Sequence, residues 1–318
     1  MKIVGTGSYL PDFILTNAML EEVVDTSDEW ITERTGIKER KLSSGEETSI
    51  LAMKAAKKAL ENSHIEAGQI DLIIVATATP DYFTPSIACI VQKEIGADNA
   101  ICFDMNAACS GFLYAMNTVH AYMLTGMVEN ALIIGAETVS KLINYEDRST
   151  CILFGDGAGA VVVRKDKDTL FAGQIGADGS KSDALVCRQH PLQNVAVQRE
   201  DTVEYLHMNG QEVYKFVVRI VPKLIKEVVA KADMDLGDIK YFLLHQANSR
   251  MNQVIASKLG LSEEKFPSNL VKTGNTSAAS IPILLDEVNQ KGALKKGDKL
   301  VMCAFGSGLT WSAIVLEW

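Results

Sequence analysis

The chain has 318 residues, 47% of them hydrophobic and 22% charged, which suits one large globular domain or two of ordinary size with a sizeable core. A formal net charge of -9, with no long basic block and no zinc-finger spacing, argues against nucleic acid as a partner. The six cysteines form no CxxC pair, no apolar run has the length of a membrane span, and Met1-Lys2 opens directly into IVGTGSYLP. Free thiols, a cytoplasmic location, no secretory leader and no membrane association are therefore expected.

Taken in chain order, GTGSYLP from Gly5 fails the dinucleotide-binding glycine pattern. The apolar spacing of Ile50–Leu60 predicts a helix, and DLIIVATA from Asp71 a buried strand. AICFDM reads as a short strand, NAACSG as a tight turn and the run from Phe112 as a helix, which leaves Cys109 where the helix begins. Unpaired N–H groups and the positive helix end at such a place favour a thiolate. The alternative is a small thiol packed in the core. ENALIIGAE, ending at Glu137, is the next strand. FGDGAGAVVV from Phe154 lacks GxGxxG and the Walker lysine, so its small residues read as close backbone packing that enters a strand; no nicotinamide or ATP site is supported. Val213–Ala232 reads as a helix with Pro222 placed to kink it, and DIKYFLLHQA from Asp238 as a strand that ends near His245. NTSAASIPILL starts a helix after Asn275, and GDKLVMCAFG is a last strand running into a loop.

This order repeats. Asp71-Leu72 and Asp238-Ile239 lie 167 residues apart, and NAACSGFLYAM and NTSAASIPILL begin 169 apart. So long a period excludes a solenoid and suggests two fused α/β units, divided here as 1–168 and 169–318. Sites in open α/β sheets gather at the carboxyl ends of strands, so halves related by rotation would bring Cys109, His245 and Asn275 to one cleft. Singly, His245 also fits a satisfied core histidine and Asn275 a helix N-cap.

At this point the chain resembles the β-ketoacyl-acyl-carrier-protein synthase III family of thiolase-like condensing enzymes. The resemblance rests on GTGSYLP, SDEWITERTGIKER from Ser27, DMNAACSGFLYA from Asp104 and LFGDGAGAVV from Leu153. HMNGQEVYKF from His207, LLHQANSR from Leu243, VKTGNTSAASIP from Val271 and FGSGLTW from Phe305 extend it over essentially the whole chain. The resemblance implies a duplicated α/β/α/β/α fold, a homodimer, no tightly bound cofactor, acyl-CoA as substrate and malonyl-acyl carrier protein as partner. It implies decarboxylative condensation through an acyl-cysteine, with Cys109 as nucleophile and His245 and Asn275 as donors to the malonyl thioester oxygen. An oxyanion hole falls on the backbone N–H groups of Cys109 and Ser307, where many relatives carry glycine at the latter position. Trp30, Arg34, Arg148, Gly210 and Asn248 fall on coenzyme A and pantetheine contacts. Arg250, Lys215 and Lys258 are candidates for the channel mouth or carrier docking. Phe83 and Tyr214 are expected to shape the acyl pocket, Phe83 from across the dimer two-fold. Primer length stays open. Another condensing enzyme or acyltransferase on this scaffold, and a non-catalytic thioester-binding module, are the alternatives.

Overall fold

The computed structural model describes residues 1–188, 191–198 and 204–318. Nine strands make its two main sheets. β1 (Lys2–Tyr9), β2 (Leu72–Ala76), β3 (Ile101–Met105), β4 (Asn130–Thr138) and β5 (Asp156–Arg164) form a sheet in the order β1-β5-β4-β2-β3. β6 (Phe171–Ala177), β7 (Ile239–Leu244), β8 (Lys299–Gly306) and β9 (Thr310–Glu317) form another in the order β6-β9-β8-β7. The senses of pairing match as well: two antiparallel steps, then a parallel one, β4 on β2 in the first sheet and β8 on β7 in the second. Among the described residues, only β3 lacks a counterpart.

Seven helices of eight residues or more position the site: α1 (Asp28–Thr35), α2 (Thr48–Ser63), α3 (Ile87–Ile95), α4 (Gly111–Leu124), α5 (Gly210–Lys231), α6 (Ser249–Leu259) and α7 (Ser280–Gln290). α4 and α7 lie between the sheets. Their buried Phe112, Met116, Leu284 and Leu285 share one core with Ile74 and Ile133 of the first sheet and Leu243 and Met302 of the second. α2 and α3 cover the outer face of the first sheet, where Leu51, Ala55 and Val91 meet Ile73 and Ile134. α5 and α6 cover the second, where Phe216, Ile225 and Ile255 meet Phe242 and Val301. The result is the five-layer thiolase-like arrangement. Strands buried on both faces explain the unbroken apolar runs LIIVA and ALIIGA, and each fully buried aliphatic side chain contributes roughly 1.5–3 kcal/mol. Pro222 lies inside α5, which continues through it from Gly210 to Lys231. Among the described residues, no helix is long and apolar enough to cross a membrane.

Candidate active site

Two like turns carry the site. Asn106 Oδ1 accepts from the Ala108 N–H at 3.1 Å, Ala108 takes φ 46°, and a 3-10 turn over Ala108–Ser110 leads into α4. In the other half, Asn275 Oδ1 accepts from the Ser277 N–H at 2.9 Å, Ser277 takes φ 50°, and a 3-10 turn over Ser277–Ala279 leads into α7. Each asparagine thus caps its turn through a bond to the residue two ahead. The backbone of Asn275 is tied to the Leu153–Gly155 turn: its N–H donates to Leu153 O at 2.9 Å and its carbonyl accepts from the Gly155 N–H at 3.0 Å. His245 extends β7, its N–H donating to Cys303 O at 2.9 Å.

The glycines of the loops allow these elements to meet. A Cβ on Gly306 would lie 2.7 Å from the Cys109 nitrogen, so the end of β8 passes directly over the cysteine turn. Gly36, at φ 80°, ends α1, and a Cβ there would lie 2.3 Å from Ser249 Oγ at the start of α6. Only glycine suits both the conformation and the approach.

Cys109, His245 and Asn275 line one cavity of about 160 Å³, with Phe305 and Leu309 among its apolar walls. The His245 ring meets Phe305 edge-on, with centroids 5.2 Å apart. Gly210, Tyr214 and Asn248 line this cavity and also a surface groove, where Arg34, Lys215 and Arg250 join them. The basic groove and the cavity that reaches the thiol therefore share three wall residues. Cys109 and Ser307 also line a larger cavity of about 940 Å³, with Phe83, Glu137 and Leu142.

Family models match over both halves. Residues 103–179 match the model described as 3-oxoacyl-[acyl-carrier-protein (ACP)] synthase III, and residues 229–318 match that of its C-terminal region. The beta-ketoacyl-[acyl-carrier-protein] synthase III of Clostridium acetobutylicum is 49% identical over an alignment that covers 100% of this chain and 98% of that protein. Among solved structures, 3-oxoacyl-[acyl-carrier-protein] synthase III from Aquifex aeolicus VF5 is 44% identical with a TM-score of 0.93, covering 100% of this chain and 99% of that one. The enzyme of the same family from Thermus thermophilus is 40% identical, also with a TM-score of 0.93 and the same coverage. The chain belongs to the β-ketoacyl-acyl-carrier-protein synthase III family. It is an acyltransferase, a condensing enzyme that initiates fatty-acid synthesis.

The hydrogen bonds of this synthase III orient its two polar side chains. Asn275 Oδ1 is taken by the Ser277 N–H, which leaves the Nδ2 donor for the cavity. Ser280 Oγ lies 2.6 Å from His245 Nδ1 and 3.5 Å from the Gln246 nitrogen. In the tautomer in which the Ser280 hydroxyl donates to Nδ1, Nε2 carries the imidazole proton and faces the cavity as a donor. Burial pushes the His245 pKa down to about 3, so the ring is neutral at physiological pH.

The thiol behaves differently from the sequence-based expectation of a lowered pKa. Burial pushes Cys109 up to about 12; a hydrogen bond to Ser277 and one from its own N–H oppose this, and the Glu137 carboxylate adds to it. Desolvation of the buried Cys109 side chain is the largest of these influences.

The remaining predicted residues fall into three places. Two guanidinium groups lie over the Trp30 ring, with Arg34 and Arg148 Cζ each 4.7 Å from its centroid. Arg148 also donates to Asp25 O at 2.7 Å. Asn248 caps α6 by accepting from the Arg250 N–H at 2.9 Å and donates through Nδ2 to Arg34 O at 3.0 Å; Arg250 pairs with Glu33 at 3.2 Å. Tyr214, grouped with Phe83 by sequence, lines the groove and inner cavity and not the larger cavity that holds Phe83. The α5 helix carries Tyr214 to the smaller cavity, while Phe83 follows β2. Lys258 is not among the groove residues and donates to Val218 O of α5 at 2.9 Å. Ser307 uses its hydroxyl on Leu185 O, fastening the loop where glycine was the commoner expectation.

Sequence reasoning missed Glu137, Ser277 and Ser280. Glu137 was read only as the end of a strand, and the two serines only as small residues in a helix start. The signal within reach was a carboxylate closing an otherwise apolar run, since such a charge needs partners when buried.

Proposed function

We propose that this synthase condenses acetyl-CoA with malonyl-acyl carrier protein through acyl-Cys109. The observation that carries the reading is the convergence of Cys109, His245 and Asn275, from both halves of the chain, on one apolar cavity that shares wall residues with a basic groove. Cys109 Sγ attacks the thioester carbonyl, the bond to the coenzyme A sulfur breaks, and the N–H groups of Cys109 and Ser307 receive the oxyanion. Malonyl-acyl carrier protein then loses carbon dioxide. His245 Nε2 and Asn275 Nδ2 donate to the developing enolate oxygen, and the carbanion attacks the acyl group to give 3-oxoacyl-acyl carrier protein.

In this reading Trp30, Arg34 and Arg148 take the nucleotide end of coenzyme A, and Gly210 and Asn248 flank its pantetheine arm. Tyr214 stands at the junction of groove and cavity. Arg250 and Lys215 attract the acidic carrier protein at the mouth, with Lys258 on the neighbouring face. The active form is a homodimer in the cytoplasm, each protomer two halves, 1–168 and 169–318, joined between β5 and β6. Phe83, 76% exposed at the rim of the 940 Å³ cavity, suits a residue that closes its partner's acyl pocket. No tightly bound cofactor is needed for these steps. Among the described residues, no three His, Cys, Asp or Glu side chains are grouped to hold a metal ion.

The test is incubation with labelled acetyl-CoA and peptide mapping, followed by product analysis with a panel of primer-CoAs and malonyl-acyl carrier protein. Label on Cys109 and a 3-oxobutyryl product are expected. Label on Cys151 or Cys303 with Cys109 clean would sink the assignment.

A further inference from the structure

Glu137 is fully buried at the end of β4 and outside the steps above. It accepts from the Ala78 N–H at 3.2 and 3.1 Å, from Thr77 Oγ1 at 3.3 Å, from Thr79 Oγ1 at 2.5 Å and from Ser277 Oγ at 2.9 Å. Ser277 Oγ in turn accepts from Cys109 Sγ at 3.4 Å. The nucleophile is thus joined to a buried carboxylate by one hydroxyl. Cys109 and Lys141 both feel the charge of that carboxylate; Lys141 Nζ donates to Thr79 O at 2.8 Å and Pro80 O at 3.1 Å.

We propose that Glu137, acting through Ser277, takes the Cys109 proton during acylation and returns it when condensation expels the Cys109 thiolate. The proposal rests on the reading of Cys109 as the nucleophile. Three observations carry it. The Cys109 thiol directs its hydrogen bond to Ser277 Oγ, while His245 Nδ1 is engaged by Ser280 Oγ at 2.6 Å. Loss of that proton to solvent would leave two negative charges buried side by side, whereas transfer to Glu137 only moves the one already there. Ser277 is held at φ 50°, a conformation that disfavours any side chain, by the Asn275 bond to its N–H, and this keeps its hydroxyl between sulfur and carboxylate. Burial raises the pKa of Glu137 and of Cys109 alike, so the proton affinities of the two ends of the relay move in the same direction.

The steps balance. As the sulfur–acyl bond forms, the thiol proton passes to Ser277 Oγ while the serine's own proton passes to Glu137. Coenzyme A leaves as a thiolate and takes a proton from water. In condensation, the malonyl carboxylate leaves as carbon dioxide, the carbon–carbon bond forms, and the sulfur–acyl bond breaks. The thiolate recovers its proton from Glu137 through Ser277. One solvent proton is consumed per turnover, as decarboxylation of a carboxylate requires. Ser277 touches the reacting sulfur and is a catalytic residue; Glu137 acts through it and is a positioning residue.

The experiment measures Cys109 alkylation by iodoacetamide and single-turnover acetylation by acetyl-CoA from pH 6.5 to 9 in the wild type, Glu137→Gln and Ser277→Gly. An internal transfer makes both wild-type rates nearly flat with pH. Both variants should be slower, about 100-fold at pH 7, and should gain about tenfold per pH unit. A bystander carboxylate predicts the opposite sign, because removing its charge lowers the thiol pKa and speeds Glu137→Gln. Equal or faster rates in Glu137→Gln, or a wild-type rate that climbs tenfold per pH unit, overturn the relay. If Glu137→Gln fails to fold, Ser277→Gly carries the test, since glycine accepts φ 50°. A wild type that alkylates but does not acetylate defeats the acyl-Cys109 reading, and the alkylation profiles still decide the relay.

Discussion

The turn at Asn106–Gly111 and the turn at Asn275–Ser280 share a backbone and differ in chemistry. Both use an asparagine bond to the residue two ahead, a residue near φ 50° and a 3-10 turn before a central helix. The first places Cys109 where the second has Ala278, and Ala108 where the second has Ser277. Gly111 opens one helix, and Ser280, bound to His245, opens the other. In the proposed mechanism the side chains on these two like platforms divide the work: one turn holds the nucleophile, the other holds hydrogen-bond donors and a hydroxyl beside it. The difference teaches that the backbone device sets position, while residue identity at three or four places sets the role.

The largest break in that division is Cys109→Ala, which removes the nucleophile from the first turn. Condensation should vanish with the unfolding midpoint nearly unchanged; residual condensation at wild-type rate would place the nucleophile elsewhere. Next come the donors. His245→Ala and Asn275→Ala should each lower malonyl decarboxylation about 10²–10³-fold, the loss measured for one oxyanion-hole donor. Acylation of Cys109 should change far less, and carbon dioxide release timed apart from acyl transfer reads the split. Equal losses in both steps would assign the pair a broader role.

A third effect is on stability. His245 has a folded pKa near 3 and an unfolded value near 6.5, so the unfolded chain binds the proton first as pH falls. The neutral ring therefore costs nothing above pH 6.5, and stability drops through the window from 6.5 towards 3. Between pH 6.5 and 4.5 the loss should be about 2 kcal/mol in the wild type and absent in His245→Gln, by urea unfolding of both. A parallel decline in the two proteins would show that other groups dominate.

Phe83→Ala sharpens the contrast between the two cavities at the cysteine. It should raise butyryl-CoA or isobutyryl-CoA use relative to acetyl-CoA by about tenfold, the discrimination expected for one or two methylenes, in a variant checked for its oligomeric state. An unchanged ratio rejects Phe83 as the pocket floor. The smallest effect compares the turns directly. Ala108→Gly relieves φ 46° at no loss of a hydrogen bond and should stabilise by up to about 1 kcal/mol. Ser277→Gly gains the same relief but takes a donor from buried Glu137, so it should destabilise by roughly 1–2 kcal/mol. Denaturant midpoints of like sign would mean that the hydroxyl is energetically idle.

Much of this was legible in the sequence for physical reasons. Strands buried on both faces must be apolar throughout, so LIIVA and ALIIGA were readable, and the spacing of 169 between Asn106 and Asn275 exposed the duplication. The glycine string after Phe154 was readable as a strand entry, since it lacked any phosphate-binding lysine. Tertiary structure alone decided the rest. Whether the Cys109 thiol is lowered or raised depends on how much water burial removes, and a helix tip in the sequence carries no record of that. Tyr214 and Phe83 look like one pocket until α5 and the loop after β2 place them in different cavities, each of which reaches Cys109. The contact between Glu137 and Ser277 spans 140 residues and joins two halves whose local patterns carry no sign of each other. Periodicity reports which face of an element is buried; only packing reports what that face meets.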